Sequence, residues 1–525
     1  MTGDYRFRKA PPENVGIRSG AITNFLKEAE REHLQLHAIM ISRKDRLIAE
    51  GYWKPYAADK VQRICSAGKA VVATAVLFAL AERRFSLRDT AAKLFPDQTP
   101  PDIDAKAAAI TVYDLLTMHA GHRTDSFAYT ASCGEEVWSQ FLKVPVIDEP
   151  GTKFFYDNGI PDVLAGLVRK TTGETINSYL KSRLWDPLQI RDVRIETGRG
   201  YEELATFCMS TASLMKLTLF YLHDGYWNGE QLLPPELVRK ARSWQVPLSG
   251  IETELHGADR YEPEVGYGFQ IWKSLGANFV LNGGCGQLGI GFPEFDLAIA
   301  VQADEPRSDR IEKLLWQNLR GNIYNRPLAE DQESYRELEE RLQNLTLMEE
   351  CGDEKPEIPE PGARCICTPR TMIAGIEKLE IAQQGDCIEL KFNGSQSIEL
   401  PTDGSWTACR IPVIVPETGN DGEHRKSDHG VRLDTNVGYD TGEGYAAIMC
   451  RKNLFRIHFT SDAWLGEHII SVEIDQRDPD AGSCVISHEN GTSFRLAACP
   501  RELMKDQLKS CIHREYTAGG VTWQS

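Results

Sequence analysis

The stretch Arg63-Ile-Cys-Ser-Ala-Gly-Lys-Ala-Val-Val-Ala-Thr-Ala-Val-Leu-Phe-Ala-Leu-Ala-Glu-Arg-Arg84 decides how the chain is read. From Ala70 to Ala81 it is apolar on every side, which predicts a fully buried helix rather than an amphipathic surface one. Ser66 falls at the mouth of that helix, where serine is a favoured N-cap. Lys69 follows one turn later, so its side chain points back along the same face toward Ser66. Burying an ammonium is costly, and the cost lowers its pKa and makes it a possible base. The plain alternative is an N-cap serine and a lysine whose stem lies along apolar surface while its head reaches water.

Two other Ser-x-x-Lys pairs occur, Ser178/Lys181 and Ser213/Lys216, both inside stretches with amphipathic helical spacing. There a polar helix face suffices as an explanation. Further along, "FFYDNGIPDVLAGLV" presents Tyr156, Asp157 and Asn158 just before a helix. A tyrosine hydroxyl becomes a general base only beside a cation, so Tyr156 makes chemical sense next to a residue such as Lys69. The second Tyr-x-Asn, Tyr226-Trp-Asn228, lies in the turn sequence "DGYWNGE". A third segment, "FVLNGGCGQLGIGF", matches a dinucleotide fingerprint by letter, but "GFPEF" and the strand "DLAIAV" follow where that fingerprint needs a helix. It predicts a hairpin with an edge strand whose glycines let a substrate backbone come close, and no nicotinamide site.

Around these motifs the order is strands, helices, strands, helix. Ala21–His33 has helical spacing, "HAIMIS" and "RLIAEGYW" form two strands about the turn Arg43-Lys44-Asp45, and residues 86–262 are mostly helical. "VGYGFQIWK", "ANFVLNGG" and "DLAIAVQAD" return to strand, and "SDRIEKLLWQNLRGNIY" is an amphipathic helix. This predicts an α+β domain, an antiparallel sheet with a helical insertion, over residues 1–325. Residues 326–363 read as a charged helix and an acidic, Pro-rich linker at 349–363. Residues 364–525 alternate in short runs and predict a C-terminal all-β domain, with "PETGNDGEHRKSDHG" as a long loop.

The 525 residues carry a net charge of −17, which argues against nucleic acid or an anionic membrane as partner. The longest apolar run falls short of the ~20 residues of a membrane span. The N-terminal stretch lacks the apolar core of a secretory signal, so the expected compartment is the cytoplasm. There the 13 cysteines are expected as reduced thiols. Cys365 and Cys367 have no second pair at ligand spacing, so no metal is expected and no cofactor is implied.

Three motifs therefore stand in one order: Ser66-Ala-Gly-Lys69, Tyr156-Asp-Asn158 and Asn282-Gly-Gly284. With the helical insertion between the strands, this resembles the serine β-lactamase/penicillin-binding-protein superfamily, and within it the class C β-lactamase-like branch of esterases, D-aminopeptidases and transacylases. The resemblance covers about residues 10–325. It implies a β-lactamase/transpeptidase-like fold with Ser66 as nucleophile, Lys69 as its base partner and Tyr156 as proton shuttle. Asn158 would bind Lys69 and the acyl side of the substrate. The N–H groups of Ser66 and Cys285 would form an oxyanion hole, beside Gly284. Where the family carries Lys or His, this chain has Asn282, a neutral group that disfavours a carboxylate-bearing substrate. The implied activity is a serine acyl-hydrolase acting on a small neutral ester or amide. The rivals are a β-lactamase or DD-peptidase, a transacylase, and a catalytically inactive binding protein of the same fold. A homo-oligomer is compatible with all of these.

Overall fold

The computed structural model describes residues 5–130, 136–198, 201–247, 266–273, 278–305 and 307–347, and beyond them the strands named below. The chain divides into two compact units, the first built on Met1–Leu345 and the second beginning at Thr346. Helix α1, Ser19–Arg31, leads into the hairpin of β1, Leu36–Arg43, and β2, Arg46–Tyr52. Lys44 and Asp45 turn that hairpin in the left-handed region, at φ 48° and 55°. Cys65–Ala67 makes one tight 3₁₀ turn, and α2 runs on from it over Gly68–Ala81. The long helices of the insertion are α3, Ile160–Thr172, and α4, Thr211–Leu222.

Strands β3 (Val246–Pro247), β4 (Gly266–Tyr267), β5 (Trp272–Lys273), β6 (Phe279–Gly283), β7 (Gln287–Phe292) and β8 (Leu297–Ala303) complete an eight-stranded sheet in the order β2-β1-β8-β7-β6-β5-β4-β3. Neighbours are antiparallel throughout. The N-terminal hairpin thus pairs with the last strand, Ile41 opposite Ile299, and the helical segment is inserted between two parts of one sheet. The α+β layout expected from the motif order is the observed one. Helix α5, Ser308–Leu319, lies along α1.

Helix α2 is buried at every position from Gly68 to Ala79, as its uniformly apolar composition requires. It packs on α3, and Tyr221 of α4 donates to the Ala70 carbonyl at 3.1 Å. Helix α6, Gln332–Gln343, is the charged helix read within residues 326–363. It packs on α1 and β2, with Lys27 paired to Glu337 and Arg341 to Glu30. Leu338 and Leu342 form a narrow apolar stripe that the surrounding charge conceals in the sequence.

The second unit contains a ten-stranded antiparallel sheet, from Arg364–Thr368 to Thr492–Ala498 along the chain, and a hairpin of Glu515–Ala518 with Val521–Gln524. The linker at 349–363 and the loop "PETGNDGEHRKSDHG" lie outside the described residues. Among the described residues no helix is long and apolar enough to cross a membrane.

Candidate active site

The 3₁₀ turn at Cys65–Ala67 presents Ser66 ahead of α2, and the cap position of α2 is Ala67, with no side-chain cap bond. Ser66 is therefore not spent as an N-cap. Lys69 is 7% exposed, and its Nζ donates at 2.9 Å to Ser66 Oγ and at 2.9 Å to Asn158 Oδ1. The same Nζ lies 4.8 Å from the centre of the Tyr156 ring. One buried cation thus joins three of the residues that the sequence singled out. The other two Ser-x-x-Lys pairs are engaged elsewhere. Ser178 donates to Glu174 and Lys181 pairs with Asp186, while Ser213 donates to Asp192 and Lys216 to the Gln189 carbonyl.

Two loops hold this arrangement together. Asn158 donates from Nδ2 to Asp125 Oδ2 at 2.6 Å and from its backbone N–H at 3.3 Å. Asp157, fully buried, accepts from the Ser126 N–H and hydroxyl, the Gly159 N–H and His122 Nδ1 at 2.7–2.9 Å. Burial, and then the negative charge of Asp157, raise the Asp125 carboxyl above its ordinary value. Asp125 and His122 were not singled out from the sequence, and Asp157 was read only as the middle of the Tyr156–Asn158 motif, because their partners lie 31–35 residues away. The signal that could have found them is Asp157 itself, a carboxylate placed directly before a buried helix and in need of donors.

Tyr156 stacks on Trp272 at 5.4 Å between ring centres and meets Tyr267 edge-on at 6.2 Å. Among the described residues the buried Tyr267 hydroxyl has no hydrogen-bond partner, and burial raises its pKa well above the ordinary value. Trp272 stands in register with Val280. Asn282, two residues further along β6, therefore lies on the sheet face that carries Trp272.

The glycine segment is the hairpin that the sequence predicts, but β6 lies between β5 and β7 and is not the expected edge strand, because β5, β4 and β3 continue the sheet beyond it. Gly283 of β6 pairs with Gln287 of β7, and Cys285 and Gly286 turn between them at φ 60° and 83°. A Cβ at Gly283 would lie 2.2 Å from the Ile64 carbonyl oxygen and 3.1 Å from Ala67 N. The close backbone approach anticipated for a substrate is thus made at Gly283 by the chain around Ser66. At Gly284 the space is open. Cys285 is held by its carbonyl, which accepts from the Glu305 N–H at 3.1 Å. Cys65, the thiol next to Ser66, is pushed up to about 12, first by burial and then by Cys285. At neutral pH it stays a thiol and does not compete as a nucleophile.

The fold and this arrangement define the β-lactamase/transpeptidase class. The Beta-lactamase family matches residues 26–321, more than half of the chain, and the chain belongs to that family. No curated protein matches it. Its structural relatives are remote. The octameric penicillin-binding protein homologue from Pyrococcus abyssi is 16% identical with a TM-score of 0.46, covering 91% of this chain and 99% of its own. A penicillin-binding protein homologue from Caulobacter crescentus is 15% identical at 0.47, over 59% and 99%. The simvastatin synthase LovD from Aspergillus terreus is 17% identical at 0.45, over 58% and 97%.

Proposed function

We propose that this chain is a serine acyl-hydrolase that forms an acyl-enzyme on Ser66 with a small neutral ester or amide. The observation that carries the reading is Lys69 Nζ at 2.9 Å from both Ser66 Oγ and Asn158 Oδ1. A cation there lowers the cost of a Ser66 alkoxide. Lys69 passes a proton to the Tyr156 phenolate, and the lone pair this frees takes the Ser66 proton through the same contact. The alkoxide attacks the substrate carbonyl, and the tetrahedral oxyanion is met by the N–H groups of Ser66 and Cys285. One such donor is worth ~3–4 kcal/mol in the barrier. The leaving group departs with the proton held by Lys69 and Tyr156, and water repeats the sequence on the acyl-enzyme.

Asn282 supplies a dipole and not a charge, which supports neutral acyl donors over carboxylate-bearing ones. The intact Ser66–Lys69–Asn158 chain of contacts speaks for catalysis over a binding role alone. Labelling with a fluorophosphonate probe tests this: wild type is labelled and Ser66→Ala is not. An unlabelled wild type, or a label on the Ser66→Ala variant, would sink the assignment. A panel of p-nitrophenyl esters, D-amino acid amides and a chromogenic cephalosporin then ranks the substrate classes.

A further inference from the structure

We infer that Asp125 is a positioning residue for the Ser66 centre: its carboxylate fixes the rotation of the Asn158 amide so that Oδ1, and not Nδ2, meets Lys69. The inference rests on the acyl-enzyme reading for its kinetic consequences, though not for its geometry. An asparagine amide is nearly symmetric in shape, and turning it by half a revolution exchanges its acceptor and donor ends. An ammonium at Lys69 can donate only to Oδ1. A neutral Lys69 would also tolerate Nδ2, and a flipped amide would then donate into the lone pair that Ser66 needs.

Asp125 removes that option. An ionised carboxylate accepts and cannot donate. Its Oδ2 takes the Asn158 Nδ2–H at 2.6 Å and the Asn158 N–H at 3.3 Å, while the Phe127 N–H anchors Oδ1 at 2.8 Å. Flipping Asn158 would set its carbonyl oxygen against a carboxylate oxygen at the same separation, two acceptors with no proton between them. The neighbouring Asp157 is saturated by four donors, so it does not compete for Asn158. The lock holds only while Asp125 is ionised. Among the described residues, the charged or titratable groups linked to it are Asp157, His122 beyond Asp157, and Lys69 beyond Asn158. Acidification through the Asp125 carboxyl should therefore release the amide and slow acylation.

The test uses the full chain with Asp125→Ala and the isosteric Asp125→Asn. The second-order rate of Ser66 acylation by p-nitrophenyl acetate is measured against pH, and crystal structures of both variants are determined. Asp125→Ala should lose ~100-fold in acylation at neutral pH, since a misplacement of about 1 Å near the reacting atoms costs that much. Asp125→Asn keeps an acceptor but also offers a donor, so its loss should be smaller. In both, the acid-side fall due to Asp125 should disappear. A merely structural role would lower the folded fraction and leave the shape of the pH profile alone. In the Asp125→Ala crystal, Asn158 Oδ1 should have left Lys69 Nζ while the Ser66–Lys69 contact remains. An Asn158–Lys69 contact kept in that crystal, or acylation within twofold of wild type, overturns the inference. Should Asp125→Ala fail to fold, Asp125→Asn decides by the same two readouts. A wild type without any Ser66 adduct would refute the acyl-enzyme reading, and the crystal structures would still decide the positioning of Asn158.

Discussion

Lys69 is the one charged residue in the fourteen of α2, and it is buried where the helix meets Ser66, Asn158 and Tyr156. Lys69 and Tyr156 should act as one unit, because each is a poor base without the other's charge. Lys69→Ala, Tyr156→Phe and the double variant, compared on one substrate, should give losses that do not add. Simple additivity of the log rates would refute the coupling. A second prediction concerns stability. His37 stacks on Tyr56 at 3.9 Å and shares a 2.7 Å hydrogen bond with Gln62, and burial lowers its pKa from 6.5 to about 4. The folded state thus prefers neutral His37, while the unfolded chain takes up a proton from about pH 6.5 downward. His37's contribution is complete above that pH and falls by roughly 3 kcal/mol as the pH drops toward 4, at ~1.4 kcal/mol per pKa unit. Urea midpoints should follow this slope in wild type and lose it in His37→Phe; an equal slope in both would exclude His37 as its source. Ser66, Lys69, Tyr156 and Asn158 were legible because each sits in a short motif with a distinctive neighbourhood. Asp125, His122 and the role of Asp157 were not, since a carboxylate's donors are chosen by tertiary contact and leave no spacing in the chain.

At the scale of elements, the hairpin β6–β7 and the turn before α2 meet backbone to backbone, and Gly283 makes this fit. Gly283→Ala would drive a methyl into the Ile64 carbonyl, so β6 or the Ser66 turn must shift. The expected cost is about 1–3 kcal/mol of stability, together with a large loss of Ser66 labelling. Gly284→Ala meets nothing within 4 Å and should fold like wild type. Equal thermal midpoints and equal labelling in the two variants would contradict this account of the hairpin. Rejection of a dinucleotide site was possible from the letters alone, because a strand follows the glycines. Which glycine faces the nucleophile was not, because strand alternation fixes faces only once the register is known. Asn282→Lys tests the remaining motif residue. A charge-assisted contact worth ~1.5–3 kcal/mol should favour a cephalosporin over a neutral ester by roughly ten- to a hundredfold. Unchanged selectivity would remove Asn282 from the substrate site.

For the whole molecule, the ten-stranded antiparallel sheet begins at Arg364, where the texture of the sequence changes to short alternating runs. The place of α6 was less legible, since two leucines in a highly charged helix are a weak signal until α1 and β2 lie beneath them. The first unit carries the Ser66 site among its own elements. The measurement that tests the central claim most directly is the mass of the full chain after brief exposure to p-nitrophenyl acetate, followed by peptide mapping. A gain of one acetyl group, located on the peptide containing Ser66 and absent from the Ser66→Ala variant, is the predicted result. Acetylation at Ser178 or Ser213, or no adduct with any activated acyl donor, would contradict it.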